Sequence, residues 1–226
     1  VFFFRRSVLD PEVVLGRMAK PLWFMWTKTT LWVSVAFILA ALVVFIMNAT
    51  ALEAALGNLF SMQNVALMII TTFIIKSVHE LGHGLTCKHF GGEVHEVGIM
   101  FLVFQPCFFV NISDSWTMPK RLHRIIITAA GIYVELIFAA VATFLWAMVQ
   151  PGFLKDFLFN FIFIASVSTV IFNANPLMRF DGYYIMMDLL EVPNLQAKSR
   201  ALITHRLVRL LFGDKGSSTA GNMLSR

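Results

Sequence analysis

The sequence has 226 residues, of which 58% are hydrophobic and only 14% are charged, and its mean hydropathy is +0.75. A soluble domain carries roughly a quarter charged residues, so this composition excludes an ordinary soluble protein and indicates a membrane protein with several spans. The formal charge of +5 comes from basic residues that flank apolar runs. We therefore interpret it as a topology signal and expect no nucleic-acid partner.

Four apolar segments are long enough to cross a lipid bilayer of about 30 Å as α-helices. In chain order they are residues 30–49, 63–86, 125–149 and 157–175. Basic residues concentrate before the first segment, between the second and third, and after the fourth. The two opposite loops, 50–62 and 150–156, contain only Lys155. The positive-inside rule therefore predicts a multi-pass protein with both termini in the cytoplasm.

Two other segments have patterns that do not predict a membrane span. Residues 98–113 (GIMFLVFQPCFFVNIS) are apolar, but Gln105 and Pro106 interrupt them, and the run is too short to cross. We expect a β-hairpin or a re-entrant loop there. Residues 200–212 (RALITHRLVRLLF) alternate basic and apolar positions, which predicts either a surface helix on the cytoplasmic leaflet or a linker helix. The predicted fold class is an all-α polytopic membrane protein with about four transmembrane helices.

These patterns divide the chain into three parts. Residues 1–29 are interpreted as a cytoplasmic or interfacial segment, residues 30–191 as the transmembrane core, and residues 192–226 as a basic amphipathic cytoplasmic segment. The first residue is Val1 instead of methionine. We therefore expect the sequence to be an excerpt, with a further region after its C-terminal end.

The second apolar segment carries the stretch SVHELGH, which contains His79, Glu80 and His83. Residues four apart on a helix project in the same direction, so the two imidazoles can share one Zn²⁺ and Glu80 can reach a water molecule beside it. The alternative is that neighbouring helices or a wet cavity satisfy these side chains. We favour the metal, because ionisable residues within a span are costly and are functional by default.

A catalytic zinc ion takes three protein ligands, and the candidates for the third are Cys87, His95, Glu135 and Asp181. Cys87 extends too far along the helix of His79 and is better explained as a packing residue. His95 lies in a polar turn, where a solvated side chain is expected. Glu135 lies in the middle of the third segment. Asp181 follows a proline that should end the fourth helix. The residues alone leave Glu135 and Asp181 open.

The sequence resembles the site-2 protease family of intramembrane zinc metalloproteases. That family combines His-Glu-x-x-His in one span with Asn-x-x-Pro-x-Pro-x-Leu-Asp-Gly two spans later. The second motif is matched here by Asn173, Pro176, Asp181 and Gly182. Met178 replaces its second proline and Phe180 replaces its leucine. The resemblance covers roughly residues 63–195. Within the family, residues 101–116 and 175–184 are similar to the bacterial peptide zinc metalloprotease branch.

The resemblance implies a role for each matched residue. Asp181 becomes the third ligand of one zinc ion beside His79 and His83, Glu80 becomes the catalytic base, and Asn173 lies near the substrate carbonyl. Many members have Gly-Pro-x-x-Asn in the span between the two motifs. Here the corresponding residues are Gly131 to Glu135, and Glu135 stands in the place of the asparagine. The role of position 135 therefore stays open.

Lys76 lies four residues before Glu80 in the same predicted helix. It either pairs with that glutamate or lies in the aqueous cavity that hydrolysis requires, and we favour the cavity.

The function implied is hydrolysis of peptide bonds in membrane-embedded or membrane-associated substrates, in the inner membrane of a bacterium. An export complex is an expected partner, because some relatives continue into an export-type domain. Two alternatives remain: a catalytically inactive homologue that serves as a scaffold for peptide export, and a membrane metal transporter. A transporter needs further ligands along one path, and the sequence offers only scattered ones.

Overall fold

A computed structural model describes residues 3–9, 11–59, 61–102 and 105–212. The helices of this part of the chain are α1 (Pro11–Ala19), α2 (Lys28–Met47), α3 (Ala49–Asn58), α4 (Met62–His89), α5 (Arg121–Met148), α6 (Phe153–Val167), α7 (Asp181–Leu190) and α8 (Leu195–Phe212). The strands are β1 (Phe3–Leu9), β2 (Glu96–Leu102) and β3 (Gln105–Asn111). Short 3-10 helices lie at Trp23–Trp26 and Ser113–Thr117, and α6 continues into a π-helical turn at Ser168–Asn173.

Four helices of the described chain are long and apolar enough to cross a membrane, which confirms the prediction of four spans. They cover Lys28–Met47, Asn64–His89, Arg121–Met148 and Phe153–Asn173. The first of them, α2, buries only Ser34 and Ala41. It is held to α5 by a 2.6 Å hydrogen bond between the Ser34 and Tyr133 hydroxyl groups. Its many exposed apolar side chains suit contact with lipid.

The segment between the second and third spans is a β-hairpin, so the re-entrant alternative is wrong. Strands β2 and β3 pair antiparallel, with Leu102 opposite Gln105 next to the turn. Strand β1 pairs with β2 on the other side, which makes a three-stranded sheet in the order β1-β2-β3. The sequence did not predict β1, because the strand forms by pairing with residues about ninety positions away instead of by a strong local pattern.

Two apolar clusters lie along α4, and the polar residues of the candidate site lie between them. Ile75 belongs to a cluster of α4, α5 and α6 residues that includes Trp146. Cys87 belongs to a cluster with Leu15 of α1 and Val110 of β3. Cys87 is fully buried, so its interpretation as a packing residue agrees with the structure. The sheet and α1 therefore pack against the last turns of α4.

The contacts divide the chain into two compact units, Val1–Ile185 and Met186–Arg226. The first contains the sheet and the four spans. Within the second, the predicted helix at 200–212 is confirmed, and it begins earlier than expected, at Leu195. Leu202, Ile203 and Leu210 of this helix are exposed. The predicted segment beyond residue 212 lies outside the described residues.

Candidate metal centre and active site

His79 and His83 meet on one face of α4, as their spacing predicts. Their Nε2 atoms are 3.0 Å apart, and the side chains are only 4% and 5% exposed. Gly131 of α5 makes room for both rings: a Cβ atom at this position would lie 2.5 Å from His83 Nε2 and 2.5 Å from His79 Cε1. Any larger residue at 131 would therefore fill the space between the imidazoles.

Asp181 is the first residue of α7, and its side chain reaches the Nε2 atoms of His79 and His83. Its Oδ2 atom lies 3.0 Å from Nε2 of His79 and 3.4 Å from Nε2 of His83. The helical turn of the fourth span ends at Asn173, and the chain then folds back tightly. A Cβ atom at Gly182 would lie 2.5 Å from the carbonyl oxygen of Ala174. Because the chain breaks here instead of continuing as a helix, Asp181 stays at the level of the two histidines.

The donor set of these three residues fits a zinc ion. One ligand atom from each residue lies within 4.8 Å of the other two. His83 Nδ1 is 2.8 Å from the carbonyl oxygen of Ile127, which can only accept, so Nδ1 carries the proton and Nε2 keeps its lone pair. Within the described chain Asp181 Oδ2 is buried without a hydrogen-bond partner. Two imidazole nitrogens and one carboxylate oxygen that face one point are donors that tetrahedral zinc prefers.

The Asp181 carboxyl is held in the ionised form that a metal ligand requires. Burial raises the pKa of Asp181, but the imidazoles of His79 and His83 outweigh that effect when they are protonated, so that the pKa lies well below its ordinary range; a metal cation bound in place of those protons would act in the same direction. A carboxylate in this environment is available as an oxygen ligand at neutral pH.

Glu80 flanks the three residues without joining them. It follows His79 on α4 and is half-buried, and the backbone N–H of Val110 in β3 is directed toward its carboxylate. A partly accessible carboxylate beside a metal position is suited to exchange protons with water.

Glu135 lies behind His79 and is not part of the donor set. Its side chain is fully buried, and its Oε2 atom lies 3.5 Å from His79 Nδ1. The carboxylate accepts hydrogen bonds from Thr169 at 2.7 Å and from Asn173 Nδ2 at 3.1 Å. Lys76 Nζ lies 3.1 Å from its Oε1 atom. The hypothesis that Lys76 pairs with Glu80 is therefore wrong: Lys76 pairs with Glu135.

The π-helical turn at the end of the fourth span explains how three polar side chains reach Glu135. Ser168, Thr169 and Asn173 are all buried in this turn, and Asn173 Nδ2 lies 3.4 Å from Ser168 Oγ. Sequence periodicity does not predict a π-helical turn, although such turns are frequent at functional sites. The detectable signal was the concentration of polar residues, Ser168, Thr169 and Asn173 among them, toward the end of a largely apolar segment.

A second group of acidic and histidine side chains lies at the protein surface. Glu93, His95 and Asp114 also bring ligand atoms within 4.8 Å of one another. His95 is half-exposed, as the sequence predicted, and its Nε2 atom lies 2.7 Å from Asp114 Oδ1. It takes no part in the group around His79.

Comparisons with known proteins agree with the motifs. Residues 65–157 match the profile of a family described as "Peptidase family M50". The chain is 30% identical over 160 residues to "Putative peptide zinc metalloprotease protein YydH" of Bacillus subtilis (strain 168), covering 70% of this chain and 60% of the length of that relative. No solved structure matches. The matched segment includes His79, Glu80 and His83, and the family profile and the relative both support the resemblance to the site-2 protease family of zinc metalloproteases.

Proposed function

We propose that this protein is an intramembrane protease that uses one zinc ion to hydrolyse peptide bonds in membrane-embedded or membrane-associated substrates. The observation that carries the proposal is the convergence of His79, His83 and Asp181, from two separate parts of the chain, beside the carboxylate of Glu80. His79, Glu80 and His83 lie within a helix that is long enough to cross a membrane, and Asp181 follows the end of another. Buried ionisable groups in such helices are retained for function.

Each residue has one role in the proposed mechanism. His79, His83 and Asp181 hold the zinc ion, which when bound supplies a Lewis acid that activates water and polarises the scissile carbonyl. Glu80 takes a proton from the attacking water and passes it to the leaving amine.

Asn173 is proposed to help position the substrate. One of its amide hydrogens bonds Glu135. The same nitrogen also lies 3.4 Å from Ser168 Oγ. We propose that the second hydrogen turns to the substrate carbonyl when substrate binds, where a hydrogen bond stabilises the developing negative charge.

The outer edge of β3, which pairs with no further strand among the described residues, offers a place for an extended substrate. Strand β3 lies at one edge of the sheet, and the N–H of Val110 is directed toward Glu80. Alternate residues of a strand present their backbone groups to the same edge, so Phe108 shares this edge with Val110. A helical substrate has its carbonyl groups hydrogen-bonded and must unwind before it is cleaved, and an unwound segment can pair with β3 as an added strand.

The proposed orientation places the metal site near the cytoplasmic side of a bacterial inner membrane. It is supported by the basic residues before α2, between α4 and α5, and after the fourth span. The positive-inside rule assigns these regions, and both termini, to the cytoplasm. We also propose a partner in peptide export, on the basis of the family resemblance.

Substitution of Glu80 by glutamine tests the proposed activity. We expect Glu80→Gln to lower cleavage of quenched-fluorescent peptides with one transmembrane helix, in nanodiscs, by about 10²–10⁴-fold, because the proton acceptor is lost. Zinc content should stay at the wild-type level, because Glu80 is not a ligand.

Glu53→Gln on α3 is the matched control, since Glu53 is an exposed acid away from the site. Undiminished cleavage by Glu80→Gln would contradict the proposed mechanism. A scaffold or a transporter should respond equally little to both substitutions.

A further inference from the structure

Lys76 and Glu135 form a charge pair between α4 and α5 that the proposed reaction does not use. Lys76 Nζ is 3.1 Å from Glu135 Oε1, and the two side chains are 28% and 0% exposed. Both residues lie within helices that can cross a membrane. A charge in that environment costs several kcal/mol unless it is paired, so retaining two charges requires an explanation.

The groups around Glu135 identify it as an ionised acceptor. An ionised carboxylate only accepts hydrogen bonds and has about four lone-pair positions. Thr169 Oγ1, Asn173 Nδ2 and Lys76 Nζ donate to it at 2.7, 3.1 and 3.1 Å. Ser168 Oγ lies 3.5 Å from Oε1 and also receives a hydrogen bond from Lys76. The π-helical turn thus supplies donors that stabilise the charge of Glu135.

His79 Nδ1 faces the same carboxylate. Its two near neighbours are Glu135 Oε2 at 3.5 Å and Asn173 Nδ2 at 3.4 Å. The Asn173 nitrogen is a donor, because it already donates to Glu135, so the carboxylate is the group that can accept a proton from Nδ1. A proton on Nδ1 leaves the lone pair of Nε2 directed toward Asp181 and His83.

The two histidines are therefore oriented by acceptors of different kinds. His83 donates to the neutral backbone carbonyl of Ile127, and His79 faces the charged side chain of Glu135. A carboxylate behind a metal-bound imidazole fixes its tautomer and raises its basicity, and loss of such a group typically lowers metal affinity 10–100-fold.

We propose that Glu135 is a positioning residue for the zinc ligand His79, and that Lys76 is the counter-charge with which Glu135 is paired. The proposal rests on the proposed zinc site and assigns a function to two residues whose roles the sequence left open. The alternative is that the pair only holds α4, α5 and the π-helical turn together.

Zinc affinity and thermal stability, measured on the same variants, separate these two roles. Zinc dissociation constants are measured by competition with a chromophoric chelator on the purified chain in nanodiscs, and melting temperatures are measured in parallel. Glu135→Gln keeps the size of the side chain but removes its charge. We expect about 10–100-fold weaker zinc binding and a lower melting temperature, because Lys76 is left without its partner.

The double variant Lys76→Met/Glu135→Gln removes both charges. We expect its melting temperature to recover toward the wild-type value, while zinc binding remains 10–100-fold weaker. Thr143→Val is the matched control: Thr143 is a buried residue of α5 whose hydroxyl bonds only the carbonyl of Ala139, at 2.8 Å, among the contacts described. Its zinc affinity should equal that of the wild type.

Two results would overturn the positioning role and leave the proposed function intact. One is wild-type zinc affinity in Glu135→Gln. The other is a double variant that recovers zinc affinity together with its melting temperature, which would make the pair purely structural. A wild-type protein that binds no zinc would instead remove the proposed metal centre itself, and the positioning role with it.

Discussion

Two groups of acidic and histidine residues in the described chain each bring three potential ligand atoms close together, but the surroundings of the two groups differ. His79, His83 and Asp181 are largely buried, whereas Glu93 and His95 are exposed and Asp114 is partly exposed. In each group the ligand atoms lie within 4.8 Å of one another. The residue types and the closeness of the ligand atoms therefore do not distinguish the two groups. The hydrogen bonds that the ligand residues make distinguish them.

In the exposed group the potential ligand residues are hydrogen-bonded to one another. His95 Nε2 pairs with Asp114 Oδ1 at 2.7 Å, and Asp114 Oδ2 accepts the backbone N–H of Glu93 at 3.3 Å. In the buried group the partners lie on the outer side of each ring: Ile127 behind His83, and Glu135 behind His79. These outer partners leave the Nε2 lone pairs of both histidines facing Asp181, which is the arrangement that a metal site requires.

Substitution of Gly131 by alanine is expected to have the largest effect on the buried group. The added Cβ atom would lie 2.5 Å from His83 Nε2, so the rings must move and zinc should be lost. The free energy of unfolding should also fall by about 1–3 kcal/mol through overpacking. Metal analysis and thermal unfolding in nanodiscs measure the two effects.

Gly57→Ala in α3 is the control, because nothing lies within 4 Å of a Cβ atom there. It should leave the zinc content unchanged and raise stability by at most about 1 kcal/mol. If Gly131→Ala still bound one zinc ion at wild-type affinity, the described arrangement of the rings would be wrong.

A smaller effect is expected in the exposed group, as a shift of one pKa. The hydrogen bond to Asp114 raises the pKa of His95, with smaller contributions from Glu93 and Glu12, and the same hydrogen bond lowers the pKa of Asp114. The pair therefore stabilises the fold at weakly acidic pH. That contribution is lost as pH rises through the raised pKa of His95, or falls through the lowered pKa of Asp114.

Asp114→Asn should return the pKa of His95 toward its ordinary value of about 6.5, as followed by an NMR titration of the imidazole. Zinc binding by the buried group should not change. An unaltered His95 titration would show that Asp114 is not its partner in solution.

The sequence predicted the parts of the molecule that depend on local pattern. Hydropathy located the spans to within a few residues, and helical spacing placed His79 and His83 on one face. The sequence left the third ligand open between Glu135 and Asp181. It indicates how deep a residue lies along a span, but not which way its side chain points or how close the spans lie. The feature that favours Asp181 is the tight return of the chain at Gly182.

Features that depend on distant pairing were not predictable. Strand β1 is defined by its partner β2. For Lys76 the sequence offered a place in an aqueous cavity, which was favoured, or a pairing with Glu80 on the same helix, whereas its partner, Glu135, lies on another helix. The π-helical turn at Ser168–Asn173 breaks the period on which a helical prediction relies.

Zinc content of the purified protein tests the central claim most directly. It is measured by elemental analysis on the wild type and on two variants. We expect one ion per chain in the wild type and in Asp114→Ala, and none in Asp181→Ala. Glu135→Ala should still bind zinc, with reduced affinity. Retention of the ion by Asp181→Ala together with its complete loss from Glu135→Ala would contradict the account.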